Sequence, residues 1–219
     1  MASRYRSTTI DYGIPTCQYS YVNDPSPAGE RILAAATEIF YTEGIGAVGV
    51  DRIAAEAAVT KPTLYAQFGS KANLIAAVLD RRSRDRQAAI ESMLADFDGD
   101  AEARLLAVFD WLAEGHGKSG FRGCPFINAA VELPDARHPA RLVILDYKRW
   151  LRTMLTSLAS AAGAADPERL GSDLQLLIDG ANARVVVEDD RSAMRDARRV
   201  ASSLLASDLS NRRTSPREA

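Results

Sequence analysis

The sequence predicts an all-α protein. Alanine and leucine are abundant, aromatic residues make up 7% of the 219 residues, and apolar residues recur three and four positions apart. These spacings place side chains on one face of a helix, whereas a half-buried strand would alternate apolar and polar positions. The length suffices for a small domain and a larger one. We therefore expect an N-terminal three-helix domain over 27–71 and a larger helical domain over 72–209.

Composition excludes several classes of protein. The two cysteines, Cys17 and Cys124, are far apart in sequence and predict neither a disulfide framework nor a metal site. His116 and His138 lack ligands at metal-binding spacing, so no metal or other cofactor is expected. No phosphate-binding loop and no nucleophile with a base can be named, which disfavours an enzyme. The sequence shows neither an apolar run of membrane-spanning length nor a signal peptide, and we expect a cytoplasmic protein.

The N-terminal segment 1–26 contains several tyrosines and little apolar patterning. This composition predicts a disordered leader. An alternative is an arm whose Arg4 and Arg6 enter a DNA minor groove.

The first helix is predicted to begin after Ser26, which is a good N-cap with Pro27 behind it, and to end near Gly44. Its buried stripe consists of residues at helical spacing: Ile32, Ala35, Ala36, Ile39 and Phe40.

Residues 50–71 predict two short helices joined by a tight corner. The first helix spans 50–57 with one apolar face, and Ala58 and Val59 make the corner. Thr60 can cap the second helix with its hydroxyl, and Pro62 is tolerated in the first turn. Such an element presents its second helix to the DNA major groove.

Leu64 and Phe68, four apart, are expected to hold the second helix to the core. The outward side chains then combine donors, an amide, an aromatic ring and a methyl group, which suit phosphates and base edges. They are Lys61, Thr63, Tyr65, Ala66 and Gln67.

These residues resemble the TetR family of bacterial transcriptional regulators. The similarity begins in RILAAATEIFYTEGIGAVGV and continues through IAAEAAVTKPTLYAQFGSKANL, with fixed positions over about forty residues. A fainter similarity, GCPFINAAVELPD from Gly123, is to regulatory domains of a subset of the family. The resemblance implies a helix-turn-helix DNA-binding domain followed by a ligand-binding and dimerisation domain.

The expected DNA-binding residues lie on and beside the second helix of the pair. Lys61 is predicted to read a guanine edge, and Thr63 and Ala66 to contact a thymine methyl or the backbone. Phosphate contacts are predicted for Tyr65, Gln67 and Lys71. The complete predicted set is Thr60, Lys61, Pro62, Thr63, Tyr65, Ala66, Gln67 and Lys71.

The sequence departs from the family pattern in three places. The corner carries Ala58 where Gly is frequent, and an alanine at positive φ costs on the order of 1 kcal/mol, so the corner is either α-like or strained. Gly49 stands where a capping Thr or Ser is usual and supplies no hydroxyl for a phosphate. Ala66 and Gln67 replace a frequent aromatic residue and a frequent histidine, which alters the bases that can be read.

Charge opposes the DNA-binding interpretation. The whole chain carries a net charge of −2, and residues 28–71 hold four cations against five anions, a balance of −1. We therefore expect weak non-specific affinity and a shallow salt dependence. The residues counted are Arg31, Arg52, Lys61 and Lys71 against Glu30, Glu38, Glu43, Asp51 and Glu56.

A long helix over about 71–97 is predicted to connect the two domains. Its middle, RRSRDR at 81–86, is interpreted as a solvated stretch, with phosphate contact as the alternative. Further helices are predicted around 105–112, 126–133 and 142–158, then from Pro167. A last helix is followed by a frayed tail over 210–219.

Residues that could wall a small-molecule cavity in the larger domain are aromatic or flexible, with one amide. They are Phe109, Trp111, Phe126, Asn128, Trp150 and Met154. Core packing is the alternative for each, and Asn128 could instead cap a neighbouring backbone. Cys124 is read as a small buried residue or as a redox or electrophile sensor.

The last two helices carry small and branched residues that allow close packing, and in the family such helices pair with their copies in a four-helix bundle. The alternative is that these faces form core within one chain. The expected interface residues are Ala181, Val185, Ala197, Val200 and Leu204.

The resulting hypothesis is a homodimeric regulator that binds palindromic double-stranded DNA, a repressor released by an unknown small-molecule effector. The rival is a helical small-molecule-binding or protein-interaction dimer without sequence-specific DNA binding. The missing hydroxyl at Gly49 and the acidic balance of the module favour the rival.

Overall fold

A computed structural model describes residues 25–214, with side chains described to residue 210. The predicted leader therefore falls, except for its last two residues, outside the described part of the chain, as does the end of the predicted tail. Within the described residues the fold is nine α-helices without strands. They are α1 Pro27–Glu43, α2 Val50–Glu56, α3 Lys61–Phe68, α4 Lys71–Ala95, α5 Ala101–Gly117, α6 Pro125–Glu132, α7 Pro139–Ala161, α8 Pro167–Glu188 and α9 Ala193–Thr214.

Side-chain caps set where several of these helices begin. Ser26 accepts from Gly29 N at α1, Thr60 from Thr63 N at α3, and Ser70 from Asn73 N at α4. Asp100 and Asp166 cap α5 and α8 in the same way. Each cap satisfies an N–H group that has no partner within its helix, so these boundaries follow from local sequence.

Several helix boundaries differ from the predictions. Helix α7 begins at Pro139, where His138 Nδ1 accepts from Ala140 N, rather than at Leu142. Helix α4 ends at Ala95 rather than near Phe97. Helix α9 continues to Thr214, into the segment predicted as a frayed tail from Ser210, and the fraying itself stays a prediction.

The small domain packs α1 against α2, α3 and the first turns of α4. Its core is closed by buried apolar residues from each of these helices, among them Ile32, Phe40, Ile53, Leu64 and Phe68. In the larger domain α7 packs on α4 and α8, and α9 packs on α5 and α8. Because α4 belongs to both packing units, it joins them as one continuous rod.

None of the described helices combines the length and apolar content needed to span a lipid bilayer.

Candidate nucleic-acid interface and interior cavities

Helix α3 exposes one face and buries the other. Leu64 and Phe68 are buried in the small-domain core, whereas Lys61, Tyr65 and Ala66 are exposed. Tyr65 is 41% exposed, which is high for a large aromatic residue. Thr63 and Gln67 are half-buried, and Thr60 and Pro62 are exposed. The helix therefore presents a mixed polar and aromatic ridge to solvent.

The corner before α3 adopts the strained form of the two considered. Ala58 has φ +50°, in the left-handed region that favours glycine. Ala57 N and Val59 N donate to Ile53 O and Ala54 O at 2.9 Å, so the corner is held by backbone hydrogen bonds. The strain is offset by these bonds and by the burial of Ala57.

Lys61 is engaged within the protein. Its Nζ lies 3.0 Å from Asp51 Oδ2, and both side chains are largely exposed. An exposed ion pair of this kind is worth about 1 kcal/mol or less, so a stronger partner can replace it. Asp51 also places a negative charge on the same face as Lys61.

Two other predicted contact residues hold the domain together. Gln67 Oε1 accepts from Ser26 Oγ at 2.7 Å, which ties α3 to the start of α1. Lys71 Nζ donates to Ile45 O at 2.7 Å and lies 5.9 Å from the centroid of the Phe40 ring. Lys71 therefore fixes the α1–α2 loop, and a phosphate contact by Lys71 stays a prediction.

Most of the anions counted against DNA binding are paired away from α3. Glu30 Oε2 lies 2.6 Å from Arg81 Nη1 on α4. Glu43 and Glu56 both pair with Arg52, at 3.6 and 2.6 Å. At the exposed face of α3, the main negative charge that opposes DNA binding is therefore that of Asp51.

Two contacts join the small domain to the α5–α6 region. Tyr41 on α1 donates its hydroxyl to Gly123 O at 3.1 Å and accepts from Arg122 N at 2.7 Å. Glu132 on α6 accepts from Gly46 N at 2.8 Å, in the same loop that Lys71 holds. The α1–α2 loop is thus fixed from both domains.

Three neighbouring cavities lie beside these contacts. One, of about 170 Å³, lies between α1, α4 and α6 and is lined by Phe40, Tyr41, Arg82, Asn128 and Glu132 among others. Two more, of about 300 and 340 Å³, lie between α1, α4, the end of α5 and the loop from α5 to α6. Both are lined by Tyr41, Arg86, Trp111 and Phe121.

The predicted cavity residues divide into two groups. Trp111, Phe126 and Asn128 line these cavities. Asn128 Nδ2 also donates to Arg122 O at 2.8 Å, so it caps a neighbouring backbone as the alternative proposed.

Phe109, Trp150 and Met154 form the second group, and they are buried in the core. They are not among the residues that line the three cavities. For these three the core-packing alternative describes their positions, because each belongs to the buried apolar cluster where α5 and α7 pack on each other and on α8 and α9.

The stretch predicted to be solvated splits between surface and interior. Arg81 and Arg84 make exposed or half-exposed ion pairs with Glu30 and Asp80. Arg82, by contrast, stacks on Tyr41 with its guanidinium carbon 4.4 Å from the ring centroid.

Arg86 lies 5.4 Å from the centroid of Trp111. Arg82 and Arg86 are therefore half-buried beside aromatic rings, which the sequence did not predict, although their spacing of four indicated that they share one helix face.

Burial shifts titration near the cavities. Desolvation lowers the pKa of Arg82 below its usual value, and it lowers the pKa of His116, whose Nε2 lies 3.3 Å from Asn182 Oδ1. Burial raises the pKa of Tyr147 to about 12. Tyr147 stacks on Phe126 at 3.8 Å between centroids, so a neutral phenol backs the cavity wall.

Cys124 precedes α6 at the N-cap position without a side-chain capping bond. It is half-buried and packs against the apolar core.

The predicted dimer residues lie differently from the expectation. Ala181, Val185 and Ala197 are buried within the single chain, where α8 packs on α7 and α9, as the core alternative describes. Their part in a dimer interface stays a prediction. Val200 and Leu204 are half-buried. Periodicity identified an apolar face, but a helix packed inside one chain gives the same pattern as one packed against a copy.

Comparison with known proteins identifies the two parts of the chain separately. Residues 32–78 match the family model described as bacterial regulatory proteins, tetR family. Residues 101–201 match that of the tetracyclin repressor-like C-terminal domain, which includes the segment of fainter similarity.

Solved structures share the whole fold. The TetR-family regulator SCO4454 from Streptomyces coelicolor is 36% identical, with a TM-score of 0.78 over 84% of this chain and 97% of that one. A tetR-type regulator from Streptomyces avermitilis is 34% identical, with a TM-score of 0.74 over 84% and 98%.

Among curated relatives, the transcriptional repressor SCO4008 of Streptomyces coelicolor is 37% identical over 35% of this chain and 40% of its own length. The activator FasR of Mycolicibacterium smegmatis is 35% identical over 44% and 46%. The matching segments thus cover less than half of the length of each of these two relatives.

Proposed function

The chain belongs to the TetR family of DNA-binding transcriptional regulators, and from this premise we propose that it is a homodimeric repressor released from a palindromic operator by a small-molecule ligand. The observation that carries the proposal is the exposed ridge of α3. Leu64 and Phe68 fix the helix to the core while Lys61, Tyr65 and Ala66 point to solvent. A rigid helix with polar and aromatic groups outward suits the major groove.

The base contacts come from the exposed face of α3. Lys61 leaves Asp51 and donates to a guanine edge, since a duplex offers a stronger partner than an exposed carboxylate. Thr63 and Ala66 contact a thymine methyl or the backbone. Tyr65 donates its hydroxyl to a phosphate.

The remaining contacts position the helix on the duplex. Thr60 and Pro62 lie at the N-terminus of α3, where the helix dipole attracts a phosphate. Gln67 and Lys71 reach phosphates only by giving up part of their bonds to Ser26 and Ile45. Their larger contribution is to hold α3 and the α1–α2 loop at a fixed angle.

The dimer forms through an exposed apolar stripe on α8. Leu176, Gly180, Ala183 and Val187 are all exposed and follow one another at spacings of four, three and four, on the side of α8 opposite Ala181 and Val185. Leu176 is 71% and Val187 is 81% exposed, and large apolar side chains are rarely left in water when they follow one another along a helix.

Glycine and alanine in the middle of the stripe let two copies of α8 approach closely, and the half-buried Val200 and Leu204 of α9 extend the surface. An isologous dimer results, as expected for a protein that reads a palindrome.

The ligand acts through the contacts that join the two domains. Tyr41 and Glu132 connect the cavity region to α1 and to the α1–α2 loop. A ligand that binds one arrangement of these contacts better changes the separation of the two α3 helices in the dimer. A differential affinity of about 5.5 kcal/mol would move such an equilibrium almost completely.

The test is selection of random duplexes with the purified full-length protein. Enrichment of a palindrome with half-sites about one helical turn apart supports the proposal. If no sequence is enriched even at low salt, the rival interpretation, a helical dimer without sequence-specific DNA binding, is correct.

A further inference from the structure

Two half-buried arginines of α4 face a cavity and make no direct ion pair within the described residues. Arg82 and Arg86 lie over the rings of Tyr41 and Trp111, while the neighbouring Arg81 and Arg84 take the ion pairs of this stretch. Within the described chain no carboxylate lies within ion-pair distance of either interior guanidinium. The aromatic rings, the more distant charge of Glu38 near Arg82 and the hydroxyl of Tyr147 near Arg86 offset part of the cost of desolvating these two charges. None of these contacts is a direct ion pair.

The spacing of the two arginines suits one small anion. Residues four apart on a helix have Cβ atoms roughly 6 Å apart, so one carboxylate can accept from both guanidinium groups. Arg82 is half-buried, so water is partly excluded from this position, and this desolvation lowers the pKa of Arg82. A carboxylate arriving there gains more from each hydrogen bond than it would in bulk water.

The side chains that line the cavity suit an anion that carries an aromatic ring. The cavity of about 340 Å³ is lined by Arg82, Arg86, Trp111, Phe121, Pro125 and Phe126 among others. Stacked rings with little polar lining favour a planar apolar group.

Nearby acidic residues oppose more highly charged ligands. Asp85 lines the same cavity and Glu114 lines the adjoining one. A dianion such as a phosphate monoester or a dicarboxylate would place its second charge near these carboxylates, at an electrostatic cost. Within the cavity of about 340 Å³ the two guanidinium groups and the carboxylate of Asp85 leave one net positive charge, which a single negative charge on the ligand balances.

We propose that the effector is a small aromatic monocarboxylate, whose carboxylate binds between Arg82 and Arg86 and whose ring lies against Trp111, Phe121 and Phe126. This deepens the proposed function, on which it rests, by naming the chemical class of the ligand.

The same site is linked to the DNA-binding domain. Arg82 stacks on Tyr41, and Tyr41 bonds to Arg122 N and Gly123 O. A carboxylate that binds the guanidinium of Arg82 competes with its stacking on Tyr41. Ligand binding would therefore affect α1 through the side chain of Arg82.

The experiment is isothermal titration calorimetry of the full-length protein without DNA. The probes are benzoate, phenylacetate and indole-3-acetate, with phenylacetamide as a neutral match and inorganic phosphate as an anion without a ring. We expect at least one carboxylate to bind about tenfold or more tightly than phenylacetamide, and phosphate to bind more weakly than that carboxylate.

Variants locate the site. Arg86→Gln should abolish the preference for carboxylate over amide, and Arg86→Lys should retain part of it. Arg84→Gln, on the exposed side of the same helix, is the matched control and should behave as the parent protein. If Arg86→Gln does not fold, the Lys variant and Trp111→Leu carry the test.

Three outcomes overturn the inference: no carboxylate of the panel binds, the amide binds as tightly as the acid, or Arg86→Gln leaves the preference intact. Because calorimetry needs no operator, these outcomes are independent of whether a palindrome is selected. A protein that selects a palindrome but ignores the acids retains the proposed function and loses the proposed ligand.

Discussion

The α2–α3 pair and the cavity region beside α4 differ in how far apart in sequence the residues that form them lie. The pair consists of helices of seven and eight residues whose ends are set by local signals, and its charged residues face solvent. In the cavity region, by contrast, the packing of α1, α4 and α5 leaves Arg82 and Arg86 half-buried against the rings of Tyr41 and Trp111. The difference teaches that the exposed face of α3, which we propose contacts DNA, is specified over a few consecutive residues, whereas the cavity exists only after distant helices have packed.

The largest effect is expected from separating the two copies of the proposed dimer. Each α3 would then have to bind DNA without a second α3 on the same duplex. Leu176→Arg combined with Val187→Arg places charges on the exposed α8 stripe without disturbing the core. We expect a monomer whose operator affinity is lower by about 10³-fold, since bivalent engagement is lost. Analytical ultracentrifugation and fluorescence anisotropy measure the two effects.

Val131→Arg, at a residue that is 78% exposed on α6, is the control and should remain dimeric. A double variant that stays a dimer would remove the α8 stripe from the proposed interface.

The reading surface itself is tested by Lys61→Ala. Loss of one base-edge contact should cost about 1–3 kcal/mol of operator binding and relax the preference at one base pair. Competition binding against single-base operator variants measures both. Arg149→Ala, at a 71% exposed side chain of α7, should change neither quantity. Unchanged preference in Lys61→Ala would show that Lys61 contacts only the backbone.

Packing in the larger domain is tested by a matched pair of glycines. A Cβ at Gly171 on α8 would lie 2.9 Å from Thr156 N and closer still to Thr156 Oγ1 on α7, whereas a Cβ at Gly115, which lines a cavity, would meet nothing within 4 Å.

We therefore expect Gly171→Ala to lower the free energy of unfolding by about 1–3 kcal/mol and Gly115→Ala to raise it by up to about 1 kcal/mol. Urea unfolding measures both. Equal effects of the two substitutions would contradict the difference in packing between the α7–α8 contact and the cavity.

Removing the charge of Asp51, the acidic neighbour of Lys61, is expected to strengthen operator binding, whereas Lys61→Ala is expected to weaken it. Asp51→Asn removes the one prominent anion of the α3 face and frees Lys61 for DNA. Operator affinity should increase by about threefold to tenfold, and the slope of log K against log salt should steepen by about one. Asp146→Asn, far from α3 on α7, should leave the slope as it is. A weaker complex would mean that Asp51 serves to orient Lys61.

The smallest effect is expected at the corner. Ala58 has φ +50°, so Ala58→Gly should raise the free energy of unfolding by about 0.5–1 kcal/mol. Ala55→Gly, at an exposed helical position three residues earlier, should lower it by a similar amount. Thermal unfolding followed by circular dichroism compares the two. If both variants are destabilised equally, the corner carries no strain.

Sequence by itself determined the all-α class, the helix pair and most helix starts. These features depend on neighbours within one or two turns: Ser26, Thr60 and Ser70 cap helices wherever the rest of the chain lies. The exposed face of α3 followed because Leu64 and Phe68 share a helix face, and its outward residues are therefore readable from spacing.

Tertiary structure alone decided which apolar and charged faces meet. Ala181 and Val185 could have packed against a copy, and Arg82 and Arg86 could have been solvated, because a helix repeats its pattern whatever partner covers it. Only the placement of α7 and α9 buried Ala181, Val185 and Ala197 within the chain, and only the approach of α1 and α5 placed Tyr41 and Trp111 against the two arginines. Burial depends on contacts between residues far apart in sequence, so neither outcome was contained in local periodicity.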